Sequence, residues 1–130
     1  MIPLDSLNIK QREAVETTNG PVLVNAGPGS GKTRVITYRI ANLVTNCSIN
    51  PYNIVALTFT NKASREMSSR ISNLTTDLRN SLTISTFHHF CSRILRYNAT
   101  SINLDSNFSI IDDSDRLSII KNVMTELKID

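Results

Sequence analysis

The sequence predicts an α/β fold, a parallel sheet with helices on its faces, and three observations carry that reading. Short continuous apolar runs at Val22–Val24, Ile54–Thr58 and Leu82–Ser85 alternate with segments of helical periodicity. That is the pattern of buried parallel strands joined by crossover helices. Three of the four glycines, Gly27, Gly29 and Gly31, lie between the first run and the first long helix, so backbone freedom is concentrated at one strand-to-helix turn. The 130 residues are 40% hydrophobic and 19% charged, which suits a packed core and not a disordered tail.

Each element has its own signal. Asn8–Glu16 reads as a short helix, with Asn8 as N-cap and Gln11 in the capping-box position three residues on. Gly20-Pro21 breaks the chain, and Val22-Leu23-Val24 then reads as a strand buried on both faces. Lys32–Thr45 has helical spacing, with Val35, Ile36, Ile40 and Leu43 on one face. Asn50-Pro51 is a turn, Ile54–Thr58 a second buried strand, and Asn61 caps a helix running to about Ile71. A polar stretch, residues 72–80, leads to a third strand at Leu82–Ser85 and a helix at Thr86–Tyr97. Residues 98–109 read as a loop. An acidic start at Asp112–Asp115 then opens an amphipathic helix, Arg116–Lys128.

Composition excludes several classes. The longest apolar runs, such as Ile54–Leu57, span four or five residues, against the roughly 20 needed to cross a bilayer. With no basic-then-apolar leader in sight, neither secretion nor a membrane partner is expected. Cys47 and Cys91 alone make neither a disulfide framework nor a zinc site. Fourteen Lys and Arg against eleven Asp and Glu give +3, which mildly favours a polyanion and equally suits an ordinary soluble surface.

The strongest motif is Ala26-Gly27-Pro28-Gly29-Ser30-Gly31-Lys32-Thr33. It fits the phosphate-loop (P-loop) pattern, with Ala26 where the strict form has Gly. Glycines let successive backbone N–H groups turn inward as an anion nest at a helix N-terminus, where the helix dipole also favours phosphate. Lys32 then reaches the β- and γ-phosphates, and the Thr33 hydroxyl can ligate Mg²⁺. A nucleoside triphosphate site follows.

The flanking segments narrow the reading. Leu4–Val15, around Gln11, resembles the N-terminal glutamine motif of the UvrD/Rep/PcrA branch of superfamily 1 DNA helicases. Gly31–Ile40 is similar to that family's extension of the phosphate loop. Val55–Met67 resembles its second motif and Ile84–Arg96 its third. Together these cover residues 4–97 in the family's order.

The resemblance implies an incomplete RecA-like P-loop NTPase fold. Residues 1–97 would be the N-terminal part of an ATP-binding motor domain, and residues 98–130 a connector and the first helix of an inserted helical subdomain. It implies an ATP-dependent 3′–5′ DNA helicase or translocase with ATP and Mg²⁺ as cofactors. Lys32 and Thr33 would serve catalysis, Thr33 would hold Mg²⁺, Gln11 would select adenine, and Arg34 would lie near the base or phosphates. Thr58, Phe59, Thr60 and Asn61, with Thr86, Phe87 and His88, would line the floor of a single-stranded DNA channel. The implied partners are single-stranded DNA, duplex junctions and the remainder of a helicase chain with its second motor domain. The implied location is the cytoplasm at a bacterial nucleoid, or a eukaryotic DNA-containing compartment, with repair or replication as the setting.

Several alternatives stay open on the residues themselves. Arg34 is a nucleotide contact or a surface arginine. Phe59 and Phe87 are stacking platforms for bases or core residues, and His88 is a DNA contact or a polar helix start. His89 has no assigned role. The pair Asp112-Asp113 follows Ile110-Ile111, and reads either as a magnesium-holding acidic pair after a strand or as a helix cap. If it is a cap, the chain is expected to lack the water-activating carboxylates, the arginine fingers and the second motor domain. It would then be an N-terminal piece inactive by itself. The competing functions are a stand-alone nucleotide- or single-strand-binding module without turnover, and a small P-loop kinase, which the second and third motifs disfavour.

Overall fold

Local chemistry sets the first helix. In the computed structural model, which describes residues 2–75 and 81–129, α1 is Ile9–Glu16 and both halves of its capping box are closed. The Asn8 carboxamide oxygen accepts from the Gln11 backbone N–H at 2.9 Å, and the Gln11 side chain accepts from the Asn8 N–H at 3.1 Å. The chain divides into two compact units, Met1–Phe90 and Cys91–Asp130.

In the first unit, α2 (Lys32–Thr45) follows the glycine loop. Next come β1 (Val55–Thr58), α3 (Asn61–Leu74) and β2 (Thr83–Thr86). The two strands are parallel, with Val55 opposite Thr83 and Thr58 opposite Thr86, so α3 lies in the crossover that parallel pairing requires. Residues of even number on the strands share a face. There Ala56 packs with Met67 and Ile71 of α3 and Ile40 of α2, flanked by Ile54, Leu82 and Ile84. A second cluster joins Ile2, Leu4, Leu7 and Val15 to Val35 and Ala41; it seats the N-terminal segment and α1 on α2.

The expected strand at Val22–Val24 does not form. A strand exists through ladder bonds to a neighbour, and among the described residues β1 and β2 pair only with each other. Residues 21–26 are left unpaired, with Leu23 94% exposed where burial on both faces was expected. The mixed α/β class holds, with a two-stranded parallel sheet and five α-helices among the described residues. The strand at Ile54–Thr58 is shorter by one residue and buried on one face, since Val55 stands in solvent. Likewise Ile36 is exposed, and Thr37 and Asn42 occupy buried positions of α2 instead. Thr60, not Asn61, caps α3, its hydroxyl accepting from the Ala63 N–H at 3.1 Å. α3 continues to Leu74, and the rest of the polar connector, residues 76–80, lies outside the described residues.

α4 (Phe87–Tyr97) begins directly after β2. In the second unit a short 3-10 turn at Ala99–Ile102 replaces part of the expected loop. Arg96 lies over the Phe108 ring, 5.2 Å from its centroid. α5 (Asp113–Leu127) is capped by Asp112, which accepts from the Ser114 and Asp115 N–H groups. No strand precedes Asp112, and Asp113 pairs with Arg116 at 3.2 Å. The acidic pair therefore opens a helix.

Candidate functional site

The glycine loop is built for a backbone approach. Gly29 and Gly31 sit at φ +76° and +86°, in the left-handed region that favours glycine. Cβ atoms added at Gly27 or Gly29 would meet nothing within 4 Å, so the outer side of the loop is open. Gly31 is the N-cap of α2 and offers no side-chain cap to the first-turn amides. No acidic residue stands in that turn, and its first residue is Lys32. A lysine at the positive end of a helix dipole is electrostatically misplaced unless an anion joins it. The Lys32 ammonium lies folded into the loop, donating to the carbonyl oxygens of Ala26 and Gly27 at 2.8 Å each. The Ser30 hydroxyl donates to the same Gly27 oxygen at 2.7 Å, and Thr33 is exposed beside them. Pro28 and Ser30 are exposed too. The loop thus gathers a resident ammonium and an exposed hydroxyl at the N-terminus of α2.

Gln11 docks on the loop. Its amide nitrogen donates to the Ser30 carbonyl at 3.0 Å, while its oxygen completes the capping box. A Cβ at Gly31 would come within 2.8 Å of that nitrogen, so glycine there also admits the glutamine. Arg34 donates to the Ser6 carbonyl at 3.0 Å and lies over the Tyr38 ring, 5.5 Å from its centroid. The Tyr38 hydroxyl shares a 3.1 Å hydrogen bond with Ser6, which holds its pKa below the usual tyrosine value. Gln11 thus ties α1 to the loop, while Arg34 and Tyr38 tie α2 to Ser6 of the N-terminal segment.

The second group of expected residues gathers where both strands end. Phe59 is 91% exposed, and Phe87, Asn61 and His88 are exposed as well. The hydroxyls divide differently. Thr58 is buried and bonds to the Ser64 hydroxyl and, at 3.1 Å, to the Thr60 carbonyl. Thr86 is buried and accepts from the His89 N–H at 3.4 Å. Thr58, Thr60 and Thr86 therefore shape the strand-to-helix turns, and those turns present Phe59, Asn61, Phe87 and His88 outward. A cleft of about 370 Å³ beside them is lined by Asn61, Ser64, Arg65, Ile84, Ser85, Thr86 and His89. Arg65 was not singled out from the sequence, and His89 was given no role there.

Arg39 and Asn42 were also missed. Arg39 donates to the carbonyls of Ala14, at 2.6 Å, and Thr17, and Asn42 donates to Val15 at 3.4 Å. Their spacing after Val35 on the buried stripe of α2 was the available signal: polar residues where apolar ones were expected.

A phosphate-type loop at the N-terminus of a helix in a mixed α/β fold defines a class. The comparisons narrow it. The family model of the UvrD/REP helicase N-terminal domain matches residues 7–130, and the chain belongs to that family. It is 50% identical over 127 residues to the ATP-dependent DNA helicase PcrA of Staphylococcus aureus strain Mu50, covering 98% of this chain and 17% of the relative. The PcrA of Staphylococcus epidermidis is 50% identical over 125 residues, covering 96% of this chain and 17% of the relative. The chain thus spans 17% of the length of the curated relatives it matches. No helix among the described residues is long and apolar enough to cross a membrane.

Proposed function

We propose that this chain is the N-terminal part of an ATP-dependent 3′–5′ DNA helicase, carrying the ATP-binding P-loop of a RecA-like motor domain and part of its single-stranded DNA channel. One observation carries the nucleotide half. Lys32 sits in the first turn of α2 with no acidic partner there, its ammonium held, among the described residues, by loop carbonyls. Those bonds can be exchanged for an anion. Ala26, Gly27, Pro28, Gly29, Ser30 and Gly31 would supply the backbone cradle, Lys32 the positive charge on the β- and γ-phosphates, and Thr33 the hydroxyl for Mg²⁺. Gln11 would read adenine with its amide on giving up its bond to Ser30, and Arg34, stacked on Tyr38, would lie near the base or phosphates. Bound ATP with Mg²⁺ supplies the phosphoanhydride whose cleavage drives translocation.

The DNA half rests on exposed rings and amides at turns fixed by buried hydroxyls. Asn61 and His88 offer hydrogen bonds to the sugar-phosphate backbone, and Phe59 and Phe87 offer faces to bases. Neither reads sequence. The rest of a helicase chain, with water-activating carboxylates, arginine fingers and a second motor domain, would complete the site, and DNA junctions would be its substrate.

Steady-state ATPase of the isolated chain, with and without single-stranded DNA, tests this division of labour. The expected result is negligible turnover, because a phosphate cradle alone supplies only part of the transition-state stabilisation. Turnover of about one per second, abolished by Asp112→Asn, would make Asp112 a catalytic carboxylate and overturn the reading of it as a cap.

A further inference from the structure

We infer that Arg39 is a positioning residue for nucleotide selection: its guanidinium clamps the C-terminal end of α1 to α2, and so holds Gln11 against the phosphate loop. The inference rests on the reading of Gln11 as the adenine selector. The clamp itself is geometric. Arg39 donates to the carbonyls of Ala14 and Thr17, the groups a helix leaves unsatisfied at its end. Asn42, one turn further along α2, donates to Val15 at 3.4 Å and is buried.

α1 needs such a clamp. Its eight residues are too few for a helix to persist by itself, and Val15 is the one α1 residue fully withdrawn from solvent. No basic residue stands in its own last turn to meet the negative end of the helix dipole. Arg39 brings that cation in from α2. The anionic side chain nearest in sequence, Glu16, is engaged by Arg12 at 2.8 Å. Gln11 sits at the other end of the helix, one end of its amide in the capping box and the other on Ser30. With α1 pinned at its C-terminus, the Gln11–Ser30 bond is held in register with the loop. Unpinned, α1 frays from its C-terminal end towards its cap, and the Gln11–Ser30 bond loses its register.

The test uses the nucleotide-free chain first. Arg39→Met keeps the apolar stem and removes the donors; Arg39→Lys keeps a charged donor. Hydrogen exchange of backbone amides and the NMR signals of the Gln11 side-chain amide are the readouts. In Arg39→Met, α1 amides should lose protection by about 10- to 100-fold, the scale of charge-assisted hydrogen bonds. The Gln11 side-chain amide should move to the position of a free glutamine. Amides of α2, β1 and β2 should keep their protection, and Arg39→Lys should restore most of the wild-type pattern. Unchanged Gln11 signals and α1 protection in Arg39→Met would overturn the proposal. So would loss of protection across the whole first unit, which would make Arg39 a residue of general stability.

A second arm compares fluorescent ATP and GTP analogues. Arg39→Met should shrink the ATP preference towards that of Gln11→Ala while leaving tripolyphosphate competition unchanged. If Gln11→Ala weakens both nucleotides equally, the adenine reading fails by itself, and the nucleotide-free arm still decides whether Arg39 positions the glutamine.

Discussion

Phe59→Ala separates a base-stacking ring from a core ring, because the two roles predict opposite balances of stability and binding. The side chain is 91% exposed at the turn between β1 and α3, and its removal takes almost no apolar surface out of the interior. A surface substitution of that kind changes stability by about 0.5 kcal/mol or less, whereas truncating a buried phenylalanine costs about 3–5 kcal/mol. A ring that stacks on one base contributes about 1–3 kcal/mol to single-strand binding, a rise in Kd of about 5- to 150-fold. Thermal unfolding and fluorescence anisotropy with a labelled oligothymidine, on the same preparation at fixed low salt, give both numbers. Low salt matters because backbone contacts lose affinity steeply as counterions compete. The expected result is an unchanged Tm with weakened binding and intact nucleotide binding. A protein that loses several kcal/mol of stability while its folded fraction binds DNA normally would refute the stacking role.

Two further outcomes follow from the geometry. Gln11→Ala should weaken ATP more than GTP, read by competition against a fluorescent analogue, and equal losses would remove adenine selection from this residue. The Asp112 carboxyl is held below its ordinary value by the Ser114 hydroxyl first, at 2.7 Å, and by the backbone N–H groups of Asp115 and Ser114. A depressed folded pKa stabilises the cap above the ordinary carboxylate range and loses that contribution as pH falls through the lowered value. The helicity of α5 should therefore persist from neutral pH through the ordinary carboxylate range and decline only below it. In Ser114→Ala the decline should begin at higher pH, and an NMR titration of Asp112 that shows no difference between the two proteins would contradict this.

Local rules were legible where the signal was local. The Asn8–Gln11 capping box and the span of α2 stand as the sequence indicates, and β1 and β2 lie within one residue of expectation. The exceptions are non-local. Val22–Val24 has the composition of a buried strand, but a strand depends on a partner that composition cannot supply. Thr60 and Asn61 are both good N-caps, and the choice between them is made by where β1 ends. Thr58 and Thr86 read as DNA contacts because the motifs hold them, and their hydrogen bonds within the turns left no trace in the sequence. In the candidate site, the left-handed turns of the glycine loop were readable because they are written in consecutive residues. Arg39 acts over a sequence distance of about two dozen residues, and its only trace was a polar residue on an apolar stripe.

The affinity of the chain for a fluorescent ATP analogue, compared between the wild type and Lys32→Ala, tests the central claim most directly. The ammonium now bound to Ala26 and Gly27 belongs to the first residue of α2, and its transfer to phosphate forms charge-assisted hydrogen bonds. The account predicts a loss of about 2–3 kcal/mol, read as a rise in Kd of about 30- to 150-fold, with the thermal stability of the first unit unchanged. Equal affinity in the two proteins would show that the glycine loop is not where nucleotide binds.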